Sequence, residues 1–437
     1  MTPTVRAVLT IALPAMLTSI ATALFGLADI WVIGQVGDAA LLGGVEIGAK
    51  LMLGLLVVFN FLRQGTVGLT AQAAGRDDGP AQAATLLRAL ALALAIGAIL
   101  LVLKPWIVPF GLKALAATGA VETAARAYVD IRYWSGPLWL VGIAVTGWLI
   151  GRKRVRAVLV IEVAANLIHI ALDLWFVLGL HWGVEGVATA TLISEAAKLA
   201  MSAAVALREP PLAGATQALR SAATWRPDAL LALLAINRDL FLRTLLLMAV
   251  LLSVTRFSAA DAVAVLAANA ILLQLVSLQA LLLDGYESAA QVLAGEAVGA
   301  RDRERFDAVR RTCIRLGLLT AAGLALLTGL AGAPVARTFT TDPAVHAVID
   351  SHIVWLAVMP LAGVVSYVFD GLFVGATWTR AILGTMAAAA VIYALTVWAL
   401  APFGNHGLWA ALCLFALCRG IGQALVLPRL RTRTFQP

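Results

Sequence analysis

G-W-L-I-G-R-K-R-V-R-A at 147–157 returns as G-L-F-V-G-A-T-W-T-R-A at 371–381: two glycines four residues apart, then an Arg-Ala pair, at an offset of 371 − 147 = 224. Gly75 and Gly299 stand 224 residues apart as well, and so do Gly183 and Gly407. One register therefore runs from 75 to 183 of the first copy without a gap, and the chain is a duplication. What lies between these landmarks decides what was duplicated. Apolar runs of about 20 residues recur throughout, each long enough at 1.5 Å per residue to cross roughly 30 Å of hydrocarbon.

Composition agrees. Of 437 residues 62% are hydrophobic and 13% charged, against about 45–50% and about 25% in an average soluble domain, which excludes a soluble globular fold. Breaking the runs at Gly, Pro and charge clusters predicts twelve helices, over 5–35, 44–73, 84–113, 121–149, 156–180, 183–206, 228–256, 262–297, 305–331, 345–372, 376–401 and 406–428. The longest break, 207–227, carries Pro210, Pro211, Gly214 and Pro227. It divides the chain into an N-lobe (1–206), a cytoplasmic linker (207–227) and a C-lobe (228–437). Six is an even number, so both copies enter the membrane in the same sense, as a parallel repeat with its pseudo-axis along the membrane normal. The expected fold is an all-α polytopic membrane protein of twelve transmembrane helices in two six-helix lobes.

A net charge of +8 would suggest a nucleic-acid partner in a soluble protein. Here it follows topology. The even-numbered loops and the termini hold most of the arginines, among them Arg76, Arg152, Arg154, Arg208, Arg301, Arg380, Arg419 and Arg429; the odd side has Lys50, Lys104, Lys113, Arg126, Arg132, Arg256 and Arg337. The positive-inside rule puts both termini in the cytoplasm and explains the basic excess with no nucleic-acid partner. The opening T-P-T-V-R-A-V-L-T runs into an apolar stretch without a small-residue cleavage site, so helix 1 is expected to be an uncleaved signal anchor. Cys313, Cys413 and Cys418 show no metal or redox spacing. No cofactor or metal is expected.

Two like-oriented lobes enclose a cleft able to open to either side, which makes transport the leading function. A membrane enzyme would need a metal or nucleophile constellation on facing helices; there is no H-E-x-x-H and no D-D-x-x-D, and the five histidines are scattered. A receptor or channel does not require duplicated halves. A flippase for lipid-linked sugars would use the same frame, but with a strongly cationic cleft.

Charges in hydrocarbon cost about 2.5–3.5 kcal/mol on insertion scales, so each needs a reason. Asp29 and Asp173 each fall about seven residues before the outer end of their helix, roughly 10 Å deep, and Thr189 and Thr191 of helix 6 reach a similar depth. These groups are expected to line one polar layer. His169 and Asp173, at i and i+4, share a face, and imidazole titrates near neutral pH. The layer reads as a proton-coupling and substrate site, with static hydrogen-bonded anchors as the alternative. At the repeat position of Asp29 stands Ser253, so the carboxylate was not copied. In the C-lobe, Arg238, Asp239, Arg243, Asp284, Glu287 and Asp370 nearly balance in charge, which reads as an internal ion-pair network. Trp139, Trp148 and Trp378 are candidate stacking partners for a cationic or aromatic substrate.

Several stretches resemble the multidrug and toxic compound extrusion (MATE) transporters, and among them the DinF-like branch: L-A-D-I-W-V-I-G-Q at 27–35, F-L-R-Q-G-T-V-G-L-T-A-Q at 61–72, N-R-D-L-F-L-R-T at 237–244, L-D-G-Y-E-S-A-A at 283–290, F-D-G-L-F-V-G-A-T at 369–377 and G-N-H-G-L-W at 404–409. The resemblance implies a secondary-active exporter of drug-like, cationic or amphipathic small molecules, driven by protons or sodium, working as a monomer among membrane lipids. It implies that helix 1 bends at a proline, here Pro14, on protonation; a fixed kink is the alternative. It also implies Asn where this chain has His169, and it keeps Asp370 as a coupling candidate, since other branches use a tenth-helix Asp.

Overall fold

The computed structural model describes residues 2–436 and, over 23–28, the backbone alone; the side chains of Leu27 and Ala28 in the 27–35 motif thus lie outside the described residues. Among the described residues eleven helices are long and apolar enough to span a membrane, and a bent pair makes twelve. They are α1 (Pro3–Gly34), α2 (Ala39–Gly75), α3 (Gly79–Ala114), α4 (Gly119–Arg132 with Ser135–Gly151), α5 (Val155–Gly179), α6 (Gly183–Leu207), α7 (Pro227–Ala259), α8 (Val263–Gly299), α9 (Arg303–Arg337), α10 (Pro343–Gly375), α11 (Thr379–Ala399) and α12 (Ala401–Phe435).

Several elements differ from expectation by five residues or more or by a break, and three show the local reason. α2 starts five residues early because Asp38 caps it, accepting from Ala40 N at 2.8 Å. α4 bends by 48° between Arg132 and Ser135. Pro137 has no N–H for the Tyr133 carbonyl and its ring crowds that carbonyl, so the ladder breaks there. α12 runs unbroken through Pro428 to Phe435 instead of ending at 428, and Arg419, counted with the cytoplasmic charges, lies inside it. The linker is not structureless either: it holds a 3-10 turn, Pro210–Gly214, and a short helix, Ala215–Arg220. Arg88 grips its far end through the carbonyls of Thr224 (2.6 Å) and Ala223 (3.1 Å).

The duplication is visible in backbone geometry. Asp77 and Arg301, 224 apart, both take φ near +55°, and so do Lys153 and Thr377. Asp78 and Asp302 each cap the following helix by accepting from the N–H three residues on, at 2.9 Å. A Cβ on Gly147 would strike the backbone of Arg63, and one on Gly371 that of Glu287; Gly151 likewise meets Val67 O, and Gly375 meets Gln291 O. The neighbours too are 224 apart (287 − 63 and 291 − 67). The same two glycines thus let α4 cross α2 and α10 cross α8 at backbone contact.

By contact the chain divides into two compact units: Leu17–Leu233, and Met1–Met16 with Leu234–Pro437. Chain order had put residues 1–16 with the first set of helices. Their partner explains the difference, because Gly285 of α8 has no side chain and so leaves room for Met16 and the Ala12 carbonyl. Within α1 the grouping changes two residues after Pro14, which sits inside a continuous helix.

Candidate functional site

The unit Leu17–Leu233 brings three of the expected polar residues into one cluster. His169 is fully buried, and its Nε2 lies 2.5 Å from Asp29 Oδ1 and 3.0 Å from Asp173 Oδ2. Asp29 reaches in from α1, five residues before its end; His169 and Asp173 come from successive turns of α5. Directly after Asp173 the helix widens into a π stretch, Leu174–Gly179, a distortion common at functional sites. Apart from the imidazole, neither oxygen of buried Asp173 has a directed hydrogen-bond partner among the described residues.

Ser194 Oγ of α6 donates to the Thr191 carbonyl at 2.9 Å and lies 3.4 Å from His169 Nδ1. Nε2 faces carboxylate oxygens from two helices, an arrangement in which one proton can be shared among the three groups. The ligating atoms of the three lie within 4.8 Å of one another, a spacing that would also suit a small cation.

Thr191 is buried beside this cluster and bonds back to Val187 O at 3.0 Å. Thr189, two residues away and so about 200° round the helix, is half-buried and makes no described bond to the cluster. Sequence reasoning missed Tyr128 and Arg132 of α4. Tyr128 is fully buried and interacts with Thr191, Asp29 and Asp173, while Arg132 interacts with Tyr128, Asp29 and Glu195. The predicted span 121–149 already enclosed both; their spacing of four was the available signal.

In the other unit the expected ion-pair network forms around Asp370. Its carboxylate accepts from Arg243, from Arg419 at 2.5 Å and from Gln423 at 2.6 Å. Glu287 interacts with Arg243, and Asp284 with Tyr367. Arg238 pairs with its neighbour Asp239, which also accepts from Thr379 at 3.0 Å. Arg419 and Gln423 were not foreseen. Two of the three tryptophans are occupied structurally: Trp148 is buried and donates to Gln82 O at 2.8 Å, and Trp378 donates to Thr434 Oγ1 at 3.1 Å.

Most telling is the repeat partner of the Asp29–His169 contact. Positions 253 and 393, each 224 further on, are Ser253 and Tyr393, and their hydroxyls hydrogen-bond at 2.9 Å. Both units thus tie the same two helices together at the same place, one through carboxylate and imidazole and the other through two uncharged hydroxyls.

Residues 14–175 and 239–398 match the MatE family model, in two stretches that begin 239 − 14 = 225 residues apart. The chain belongs to the MATE family of transporters. It is 36% identical over 416 residues to the DNA damage-inducible protein F of Escherichia coli (strain K12), covering 95% of this chain and 90% of that protein. Among solved structures, the Vibrio cholerae MATE transporter VcmN in its bent form aligns with a TM-score of 0.88 at 18% identity over 99% of both chains. A MOP superfamily transporter from Pyrococcus furiosus, described as having a binding pocket of reverse polarity, aligns with a TM-score of 0.84 at 18% identity over 99% of this chain and 97% of that one. These likenesses agree with a MATE fold built of two six-helix repeats, and MATE proteins are transporters rather than enzymes.

Proposed function

We propose that this MATE transporter is a proton-driven antiporter that expels cationic or amphipathic organic compounds by alternating access, with Asp29, His169 and Asp173 as its coupling site. The Ser253–Tyr393 comparison carries the reading: the helix–helix tie at this position needs no charge, so the charge in one copy has another purpose. Proton and substrate need only favour different lobe arrangements for each to drive the other. The test is efflux of the cationic dye ethidium from liposomes holding the purified protein, under separately imposed proton and sodium gradients. Efflux driven by sodium alone overturns proton coupling. The flippase alternative gains nothing from Arg132 and Lys198, because each faces an acid: Arg132 interacts with Asp29 and Glu195, and Lys198 pairs with Glu162.

His169→Asn should leave export working, since Asp29 and Asp173 still supply a proton site. Without an imidazolium that favours ionised carboxylate, protonation needs less acid, so the outer-pH dependence of export moves to higher pH. An unchanged profile means His169 is a neutral packing residue.

The same reading places both termini and the linker in the cytoplasm of an inner-membrane protein. In everted vesicles trypsin should then cut at Arg220, and cutting only in right-side-out vesicles reverses the topology. The linker is latched by Glu209, which accepts from Arg152 at 2.8 Å and from Arg154 at 2.6 Å. Burial opposes ionisation of Glu209, but the hydrogen bonds from Arg154 and Arg152 outweigh it and hold its carboxyl below the usual glutamate range. A depressed value means the latch is fully present above the ordinary glutamate pKa of about 4.3 and lost as pH falls below it. Glu209→Gln should therefore raise the rate of cutting at neutral pH; an unaltered rate shows that the linker is held elsewhere.

A further inference from the structure

Two helical turns from the coupling cluster lies a second set of polar groups, centred on the buried Glu162. Thr22, Glu162 and Lys198 are each seven residues from Asp29, His169 and Thr191, respectively, on α1, α5 and α6. Seven residues is nearly two full turns, so each member falls on the same helix face as its counterpart, about 10 Å along the axis. Glu162 Oε2 lies 2.8 Å from Lys198 Nζ, and Glu162 Oε1 accepts from Thr22 Oγ1 at 2.9 Å. Both layers therefore join the same three helices. The second lies toward the α4–α5 turn and the linker.

The gap between the layers is not apolar. Asn166, between His169 and Glu162 on α5, donates to Ala21 O at 2.8 Å, while its Oδ1 has no hydrogen-bond partner among the described residues and can accept from water. Glu195 of α6 interacts both with Arg132, beside the first layer, and with Lys198, in the second; Arg63 of α2 also acts on Lys198. Glu162 thus faces Thr22 and Lys198, and Lys198 in turn faces Glu195 and Arg63. The ion pair is not an inherited architectural tie, because the repeat positions of Thr22, Glu162 and Lys198 are Leu246, Met386 and Gly422.

We infer that Glu162, paired with Lys198, is the acid through which the proton leaves the coupling cluster toward the linker side. The step balances simply. A proton leaving the Asp29–His169–Asp173 set restores its charge and converts the Glu162 carboxylate to the acid, by way of Glu195 or a water at Asn166. Release to water at the linker side then returns Glu162 to the carboxylate beside the Lys198 ammonium.

The inference rests on the proton-coupled reading, and the two are separable by which face's pH matters. In liposomes loaded with a pH-reporting dye and driven with ethidium, Glu162→Gln should slow proton release at the linker face at least tenfold while the dependence on pH at the opposite face stays that of the wild type. Glu162→Asp should restore most of the rate. Lys198→Met should shift the linker-face dependence to higher pH, since the unpartnered carboxylate holds its proton more tightly; it carries the test alone if Glu162→Gln does not fold. Wild-type release in Glu162→Gln, or an unmoved linker-face profile in Lys198→Met, overturns the inference and leaves the coupling site standing. Coupled export persisting in Asp29→Asn overturns the coupling site itself.

Discussion

Asp29→Asn is expected to reduce proton-driven ethidium export to the level of protein-free liposomes, with yield and thermal unfolding close to the wild type. Asparagine keeps the shape of the side chain and a hydrogen bond to His169 but removes the group that shares its proton. Asp173→Asn should be nearly as severe, because Asp173 is the second carboxylate on the same imidazole nitrogen. Ser253→Ala and Tyr393→Phe, at the equivalent uncharged tie, should export like the wild type. Wild-type export by Asp29→Asn would remove the coupling role, and a defect confined to one of the two aspartates would mean that the cluster does not act as one proton site.

Asp370→Asn is expected to produce the largest loss of stability. Arg243 and Arg419 are both buried on this carboxylate. Removing one partner from a buried ion pair costs about 3–5 kcal/mol, because the remaining charge is left without compensation. Here two guanidinium groups lose the negative charge that compensates them, and the half-buried Glu287 is left as the acid acting on Arg243. A lowered unfolding temperature and reduced yield of the purified variant in detergent would show it. A variant as stable as the wild type would mean that Asp370 is not the keystone of the network, which would reopen a coupling role for it.

Periodicity made most of the fold legible, since span limits depend on runs of apolar residues and most held to within a few positions. The misses have physical causes. Pro137 broke α4 because one absent N–H matters more than the apolar average around it, and Arg419 was counted with the basic termini when it lies inside α12, buried against Asp370. At the site, Asp29, His169 and Asp173 were readable because a charge in an apolar run stands out. Glu162 and Lys198 stood out equally but pair across two helices, 36 residues apart (198 − 162). No spacing along one helix reveals such a partnership. Arg132 was misread for a related reason: counting it toward topology hid its place beside Tyr128.

The packing of α1 onto Gly285 also bears on the order in which the protein is made. Residues 3–16 emerge from the ribosome well before Gly285, which makes room for Met16 and Ala12 and is synthesised 285 − 16 = 269 residues later. At about 5–20 residues per second the wait is roughly 15–50 s. During that interval the first stretch of the chain sits in the bilayer without its final neighbour. A duplicated protein of this kind cannot mature copy by copy during translation, because its opening segment settles only after α8 of the second copy has been made.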